Sequence, residues 1–386
     1  MPSSEAAPAA ADRYYRPELD VLRLVAFLLV FCTHRLDLAP IDRVAHPWLY
    51  SLSLIGVFGV PVFFLLSAFL ITELLMRERE RLGTIHWRAF YARRILRIWP
   101  LYFGAFFGLV ALGQFIPRVG AATPGSWLAF TFFSGNWYIC KYGWLRAYPT
   151  NPLWSISIEE QFYITIPFVA LYLQRRGLMA VCAGLIAMAY GTIWFYTQQH
   201  PLHGYSLWTN SLVQFQFFAG GMLLSLVFRG RLPPVRPVFR LGAGAAAAGC
   251  WLIAFLRFGV EADRPHPASV AGFLFGWSLA LAGTVLLFLS LFGMPSRWLP
   301  RTAIYLGRIS YGLYVFHALV LFLVFRVGKD WTTSLSAALH LSAWRDAVGT
   351  VMALAVTILL ASLSYRFFEK PFLRLKKRFT FVPSRE

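Results

Sequence analysis

LDVLRLVAFLLVFCTHR, residues 19–35, is an apolar run with an arginine near its start and a histidine at its end. Arg23 and His34 are eleven residues apart. Eleven steps of about 100° come to three turns plus about 20°, so on a helix both side chains lie on one face, roughly 16 Å apart along the axis. An arginine inside a membrane-spanning helix costs about 2.5–3.5 kcal/mol on insertion scales, so such groups face a cavity or a partner. A snorkelling arginine and an interfacial histidine would explain either residue alone; the shared face favours a functional pair.

The rest of the chain has the same character. Its 386 residues are 58% hydrophobic and 14% charged, outside the range of soluble domains. Apolar runs of about 17–25 residues recur, each long enough to span a bilayer. We therefore expect an all-α, polytopic transmembrane bundle of about ten spans: roughly 19–37, 51–74, 95–115, 157–173, 178–197, 211–228, 241–258, 269–292, 307–327 and 346–366. No period-two alternation repeats in ten-residue blocks, which argues against a membrane β-barrel. Residues 1–12 read as a disordered tail, 13–374 as the membrane-embedded domain and 375–386 as a basic cytoplasmic tail. The polar N-terminus lacks the basic-then-apolar order of a signal peptide, so the first span is expected to insert uncleaved.

A net charge of +19 invites a nucleic-acid reading, but the basic residues sit in short segments between apolar runs. With the N-terminus inside and residues 126–139 re-entrant or interfacial, 25 Lys/Arg fall on the cytoplasmic side and 8 outside. That bias supports both termini in the cytoplasm, and it excludes nucleic acid as the partner in favour of membrane lipid. Counting 126–139 (SWLAFTFFSGNWYI) as an eleventh span would place the later basic loops outside. Residues 84–98, TIHWRAFYARRILRI, read as an amphipathic interfacial helix with a Thr84 N-cap, running into the third span.

Arg88, Arg93, Arg94 and Arg97 form the densest basic cluster. Arg94 and Arg97, spaced i, i+3, share a face, and paired arginine forks suit a phosphorylated anion such as coenzyme A or a lipid pyrophosphate. Simple inside-positive anchoring would explain any one of them. In NPLWSISIEEQFYITIPF (151–168), Glu159 and Glu160 are adjacent, so one at most is expected to face the bundle. LGRISYGLYVFHALV (306–320) puts Tyr314 and His317 one turn apart inside a span, where a histidine is a functional suspect. The four cysteines are scattered, and no GxSxG, Walker or HExxH pattern occurs. A serine nucleophile or a metal site is thereby disfavoured.

Six stretches together resemble the acyltransferase-3 family of integral-membrane O-acyltransferases. They are RPELDVLRLVAFLLVFCTH (16–34), GVFGVPVFFLLSAFLIT (56–72), FYARRILRIWPLYF (90–103), NPLWSISIEEQFY (151–163), LGRISYGLYVFH (306–317) and SYRFFEKPF (364–372). The resemblance implies a ten-helix core in the bacterial inner membrane. Such a core takes an acyl group, usually acetyl, from cytoplasmic acyl-CoA and passes it to a hydroxyl of an envelope or exported glycan or a glycosylated small molecule. The family's Arg-x10-His falls on Arg23 and His34, and its Arg-x-x-Arg on Arg94 and Arg97. The chain departs from the family at Ala68, where glycine is common, and in 205–221, which carries no charge. Any soluble esterase-like component is expected as a separate chain.

The resulting expectation makes His34, Arg23, Glu160 and His317 the catalytic set and Arg93, Arg94 and Arg97 the donor-binding set, with acetyl-CoA as donor and no metal. His34 would act as base, since neutral imidazole is available near pH 7, or would carry the acyl group covalently. Arg23 would orient the reactants or stabilise developing charge. The alternative from another class is a transporter or flippase of a glycolipid or anion, using the same buried Arg and His as a substrate path.

Overall fold

The computed structural model describes residues 14–38, 47–120, 123–198, 203–229, 231, 235–260 and 269–382; the expected 1–12 tail and the last four residues of the 375–386 tail lie outside these. Among the described residues every regular element is helical. Two helices, α1 (Pro17–Leu38) and α2 (Pro47–Ile55), lead through a 3₁₀ turn into α3 (Gly59–Leu82) and then α4 (Trp87–Leu112). The short α5 (Pro124–Thr131) and α6 (Gly135–Tyr142) precede α7 (Trp154–Tyr172) and α8 (Arg175–Thr197). Next come α9 (Gly204–Trp208), α10 (Ser211–Phe228), α11 (Pro237–Phe258) and α12 (Val270–Leu291). The C-terminal third holds α13 (Arg301–Arg308), α14 (Ser310–Phe322), α15 (Lys329–Ala338), α16 (Arg345–Leu363) and α17 (Lys370–Lys376), with π-helical turns at Leu323–Val327 and Ser364–Glu369.

All ten expected spans fall on helices. Among the described residues eight helical stretches are long and apolar enough to cross a bilayer. The expected spans on α1 and α7 are not among them: Asp20, Arg23 and Arg35 interrupt the apolar run of one, and Glu159 and Glu160 that of the other.

Local chemistry sets the helix ends. Pro17 opens α1, with Glu18 and Asp20 in the first turn, where carboxylates complement the helix dipole. Asn210 and Ser269 cap α10 and α12 through their side chains. The N-cap position of α4 is His86 rather than Thr84; the His86 N–H is held by Glu78 Oε1 at 2.8 Å, so the cap comes from α3. From there α4 runs unbroken, so the expected interfacial helix and third span are a single element.

Residues 126–139 do not form a span. Thr123 and Ser126 build a capping box at the start of α5, Phe133 takes a positive φ of 51°, and α6 folds back on α5. At 8 residues, each is about 12 Å long, far short of the ~30 Å hydrocarbon core. The hairpin is pinned to α7 and α10 by amide hydrogen bonds. Gln161 Nε2 donates to Phe133 O and Asn136 Oδ1, both at 2.9 Å, and Asn136 Nδ2 donates to Ser211 Oγ at 2.8 Å.

Small residues let key helices touch. A Cβ on Gly221 would collide with the Leu65 carbonyl of α3, and one on Gly307 with the backbone of Asp20. The second contact seats α13 against the first turn of α1 and so fixes the helix that carries Asp20, Arg23 and His34.

Candidate active site

A cavity of about 170 Å³ opens between α1, α3, α4, α7, α14 and α17. Its wall has two characters. Arg16, Arg23, Arg94, Arg97 and Lys376 supply five cations against the carboxylates of Asp20 and Glu159; elsewhere Leu19, Val60, Phe63, Phe64 and Ile71 give an apolar lining. A net positive, partly apolar pocket suits a ligand with an anionic head and a neutral arm.

The first turns of α1 bring two charges together. Asp20 is buried and accepts from Tyr15 Oη and Arg23 Nη1, each at 3.1 Å. On α4 successive arginines point different ways, as about 100° per residue requires. Arg94 and Arg97 face the cavity. The Arg94 guanidinium lies over the rings of Phe90 and Tyr163, at 5.7 and 5.9 Å, and its Nε has no hydrogen-bond partner. Arg93, expected in the donor-binding set, does not line the cavity. Its guanidinium is taken up by Glu78 Oε2 at 2.9 Å and Phe379 O at 2.7 Å.

The two glutamates also divide, but both turn inward, against the expectation that only one would. Glu159 lines the cavity and accepts from Tyr163 Oη at 2.9 Å. Glu160 sits behind, bonded to Trp99 Nε1 at 3.1 Å, with its other oxygen unpartnered. Helix α7 is packed by α3, α4, α6 and α10, so several of its faces are interior.

The far wall is Tyr314. Its hydroxyl pairs with Ser155 Oγ at 2.7 Å and lies 2.9 Å from Pro152 O. One turn on, His317 is fully buried and its Nδ1 meets the Tyr314 carbonyl. A carbonyl only accepts, so Nδ1 carries the proton and Nε2 presents a lone pair. That lone pair faces His34 Nδ1 at 2.9 Å, which must then be the donor. His34 is left with Nε2 as its basic nitrogen. Its backbone carbonyl accepts from Tyr148 Oη at 3.0 Å, and the same hydroxyl lies 3.4 Å from Asp37 Oδ2.

The structure therefore places Arg23 with Arg94, Arg97 and Glu159 in the cavity, and His34 with His317 beyond its Tyr314 wall. Sequence reasoning missed the His34–His317 contact, Tyr314 as divider, Glu159 rather than Glu160 in the cavity wall, and Lys376. For the histidines, two imidazoles in separate spans were the only signal. Among the described residues no three His, Cys, Asp or Glu side chains converge as a metal would require.

An all-helical bundle with several apolar helices long enough to cross a bilayer, a cationic cavity and a hydrogen-bonded pair of imidazoles has the architecture of a multi-pass membrane protein. The chain belongs to the acyltransferase-3 family, whose acyltransferase-domain model matches residues 16–366. It is similar to a peptidoglycan O-acetyltransferase of Listeria monocytogenes, 25% identical over 93% of this chain and 56% of that one. A putative peptidoglycan O-acetyltransferase of Bacillus subtilis is 27% identical over 92% of this chain and 55% of its own length. A putative O-acetyltransferase of Staphylococcus aureus is 24% identical over 93% and 57%. The chain thus spans a little over half the length of the relatives it matches. No solved structure matches it.

Proposed function

We propose that the protein is a membrane O-acetyltransferase that moves acetyl from cytoplasmic acetyl-CoA to a hydroxyl of an envelope glycan, at the bacterial inner membrane. The observation that carries this reading is the cationic cavity ending at Tyr314, with the His317–His34 pair directly behind it. Family membership and the O-acetyltransferase names of the relatives favour transfer over the transporter alternative. Those names make peptidoglycan the first acceptor to test.

The topology we propose has ten spans and both termini inside. It adds α1 and α7 to the eight apolar helical stretches and leaves the α5–α6 hairpin within one leaflet. The 25-to-8 bias of Lys/Arg supports it. The basic mouth of the cavity is then cytoplasmic, and His34 lies toward the outer side.

In the reaction, Arg94 and Arg97 hold the donor's phosphates and the pantetheine arm runs past Phe63 and Ser155 toward Tyr314. The acceptor hydroxyl gives its proton to His34 Nε2 as its oxygen attacks the thioester carbonyl. The C–O bond forms, the C–S bond breaks, and the CoA thiolate takes the proton back from His34. His317 is a positioning residue: its Nε2 accepts from His34 Nδ1–H, fixes the tautomer and stabilises the imidazolium. The test is transfer of label from acetyl-CoA to peptidoglycan fragments by purified protein in vesicles. Transfer by the wild type and its loss in a His34→Ala variant that still inserts are expected. Full activity of that variant, or no transfer by the wild type to any envelope glycan, overturns the reading.

A further inference from the structure

We infer that Lys376, on the C-terminal helix, is a third phosphate-binding residue of the donor site alongside Arg94 and Arg97. This rests on the donor reading above and extends the site beyond the matched domain, which ends at residue 366.

The basic run Arg374, Lys376, Lys377 and Arg378 reads as an inside-positive tail, and three of its members behave as one. Arg374, Lys377 and Arg378 are exposed, whereas Lys376 is part-buried and lines the cavity. Helix α17 packs along α4, so Lys376 reaches the wall that Arg94 and Arg97 share. Burial first, and then the like charges of Arg97 and Arg94, disfavour its cationic form in the cavity and push its ammonium well below the ordinary lysine range. Among the described residues no carboxylate lies within 4.0 Å of any of the three. Three like charges turned into one cavity without ion-pair partners are costly unless an anion joins them. A ligand with several phosphate charges meets that need.

The neighbouring contacts explain how a short terminal helix can hold a ligand position. Arg93 bridges Glu78 on α3 to the carbonyl of Phe379, three residues beyond Lys376, and the Phe381 ring packs on His86 with centroids 4.5 Å apart. The arginine that does not face the cavity thus fastens the segment that does. Arg93 is a positioning residue for Lys376.

The experiment titrates coenzyme A into the purified full-length protein and its Lys376→Ala, Lys376→Arg and Lys376→Glu variants by calorimetry. One charge-assisted contact predicts about tenfold weaker binding for Lys376→Ala, a larger loss for Lys376→Glu, and near wild-type affinity for Lys376→Arg. Thermal unfolding of each variant separates a folding defect from a binding defect, and folded Lys376→Arg alone is a sufficient control. Wild-type binding unchanged in both Lys376→Ala and Lys376→Glu overturns the assignment of Lys376 and leaves the donor reading standing. A wild type that binds no coenzyme A overturns the donor reading, and the role of Lys376 with it.

Discussion

Replacing His317 tests the imidazole pair most directly. Leucine fills much of the same volume but offers His34 no acceptor; glutamine keeps a carbonyl oxygen in reach. The contact is 2.9 Å long and His317 is fully buried, so no water substitutes for the lost partner. A neutral hydrogen bond of this kind contributes about 1 kcal/mol, and one to a charged group about 1.5–3 kcal/mol. His34 is neutral before proton transfer and cationic after it, so the rate feels only the difference, up to about 2 kcal/mol or about 30-fold. Loss of ring orientation adds to this, and we expect His317→Leu to lower kcat by about 10- to 100-fold. His317→Gln should recover part of that loss. His317 does not line the cavity, so coenzyme A affinity should hold in both. The assay is single-turnover acetyl transfer with calorimetric coenzyme A binding on the same preparations. The double variant His34→Ala/His317→Leu should be no slower than His34→Ala alone, because His317 acts only through His34. Wild-type kcat in His317→Leu, or losses that add in the double variant, would refute the relay.

The remaining predictions concern the cavity and the helix contact that shapes it. Arg94→Ala and Arg97→Ala should each weaken coenzyme A binding by about 10- to 100-fold, from the loss of a charge-assisted fork; unchanged affinity in calorimetry would remove them from the donor site. Gly307→Ala should destabilise the protein by about 1–3 kcal/mol, because the added Cβ meets the Asp20 backbone rather than a side chain that can swing away. It should also weaken coenzyme A binding by displacing Asp20 and its partner Arg23. An unchanged unfolding temperature in detergent would show that α13 is not seated on α1 as described.

Much of the bundle is legible along the chain because a bilayer sets a length and a polarity that short windows of sequence reveal. The shortness of 126–139, with Ser134, Gly135 and Asn136 near its end, already argued against a span there, and the break at Phe133 is what those residues permit. Cross-chain packing is not legible in this way. The Arg93–Arg94 pair shows why: two adjacent arginines are equivalent in sequence, and only Glu78 on α3 and the Phe379 carbonyl decide which one is withdrawn from the cavity. Glu159 and Glu160 are separated by the same kind of accident, with Trp99 holding one and the cavity the other. Lys376 looked like tail because its neighbours are tail.

On the unbroken helix α1, a spacing of eleven residues leaves Arg23 and His34 on one stripe, but a stripe does not say what stands beside each residue. His34 meets a histidine 283 residues away, and Arg23 meets arginines from α4 around a shared cavity. The element between them is Tyr314. Its hydroxyl belongs to the cavity wall and its carbonyl sets the protonated nitrogen of His317. One residue therefore lines the cavity with its side chain and joins the His317–His34 hydrogen-bond chain with its backbone. In this bundle the end wall of the cavity and the proton on His317 Nδ1 therefore depend on the same residue of α14, which neither spacing nor composition along the chain reveals.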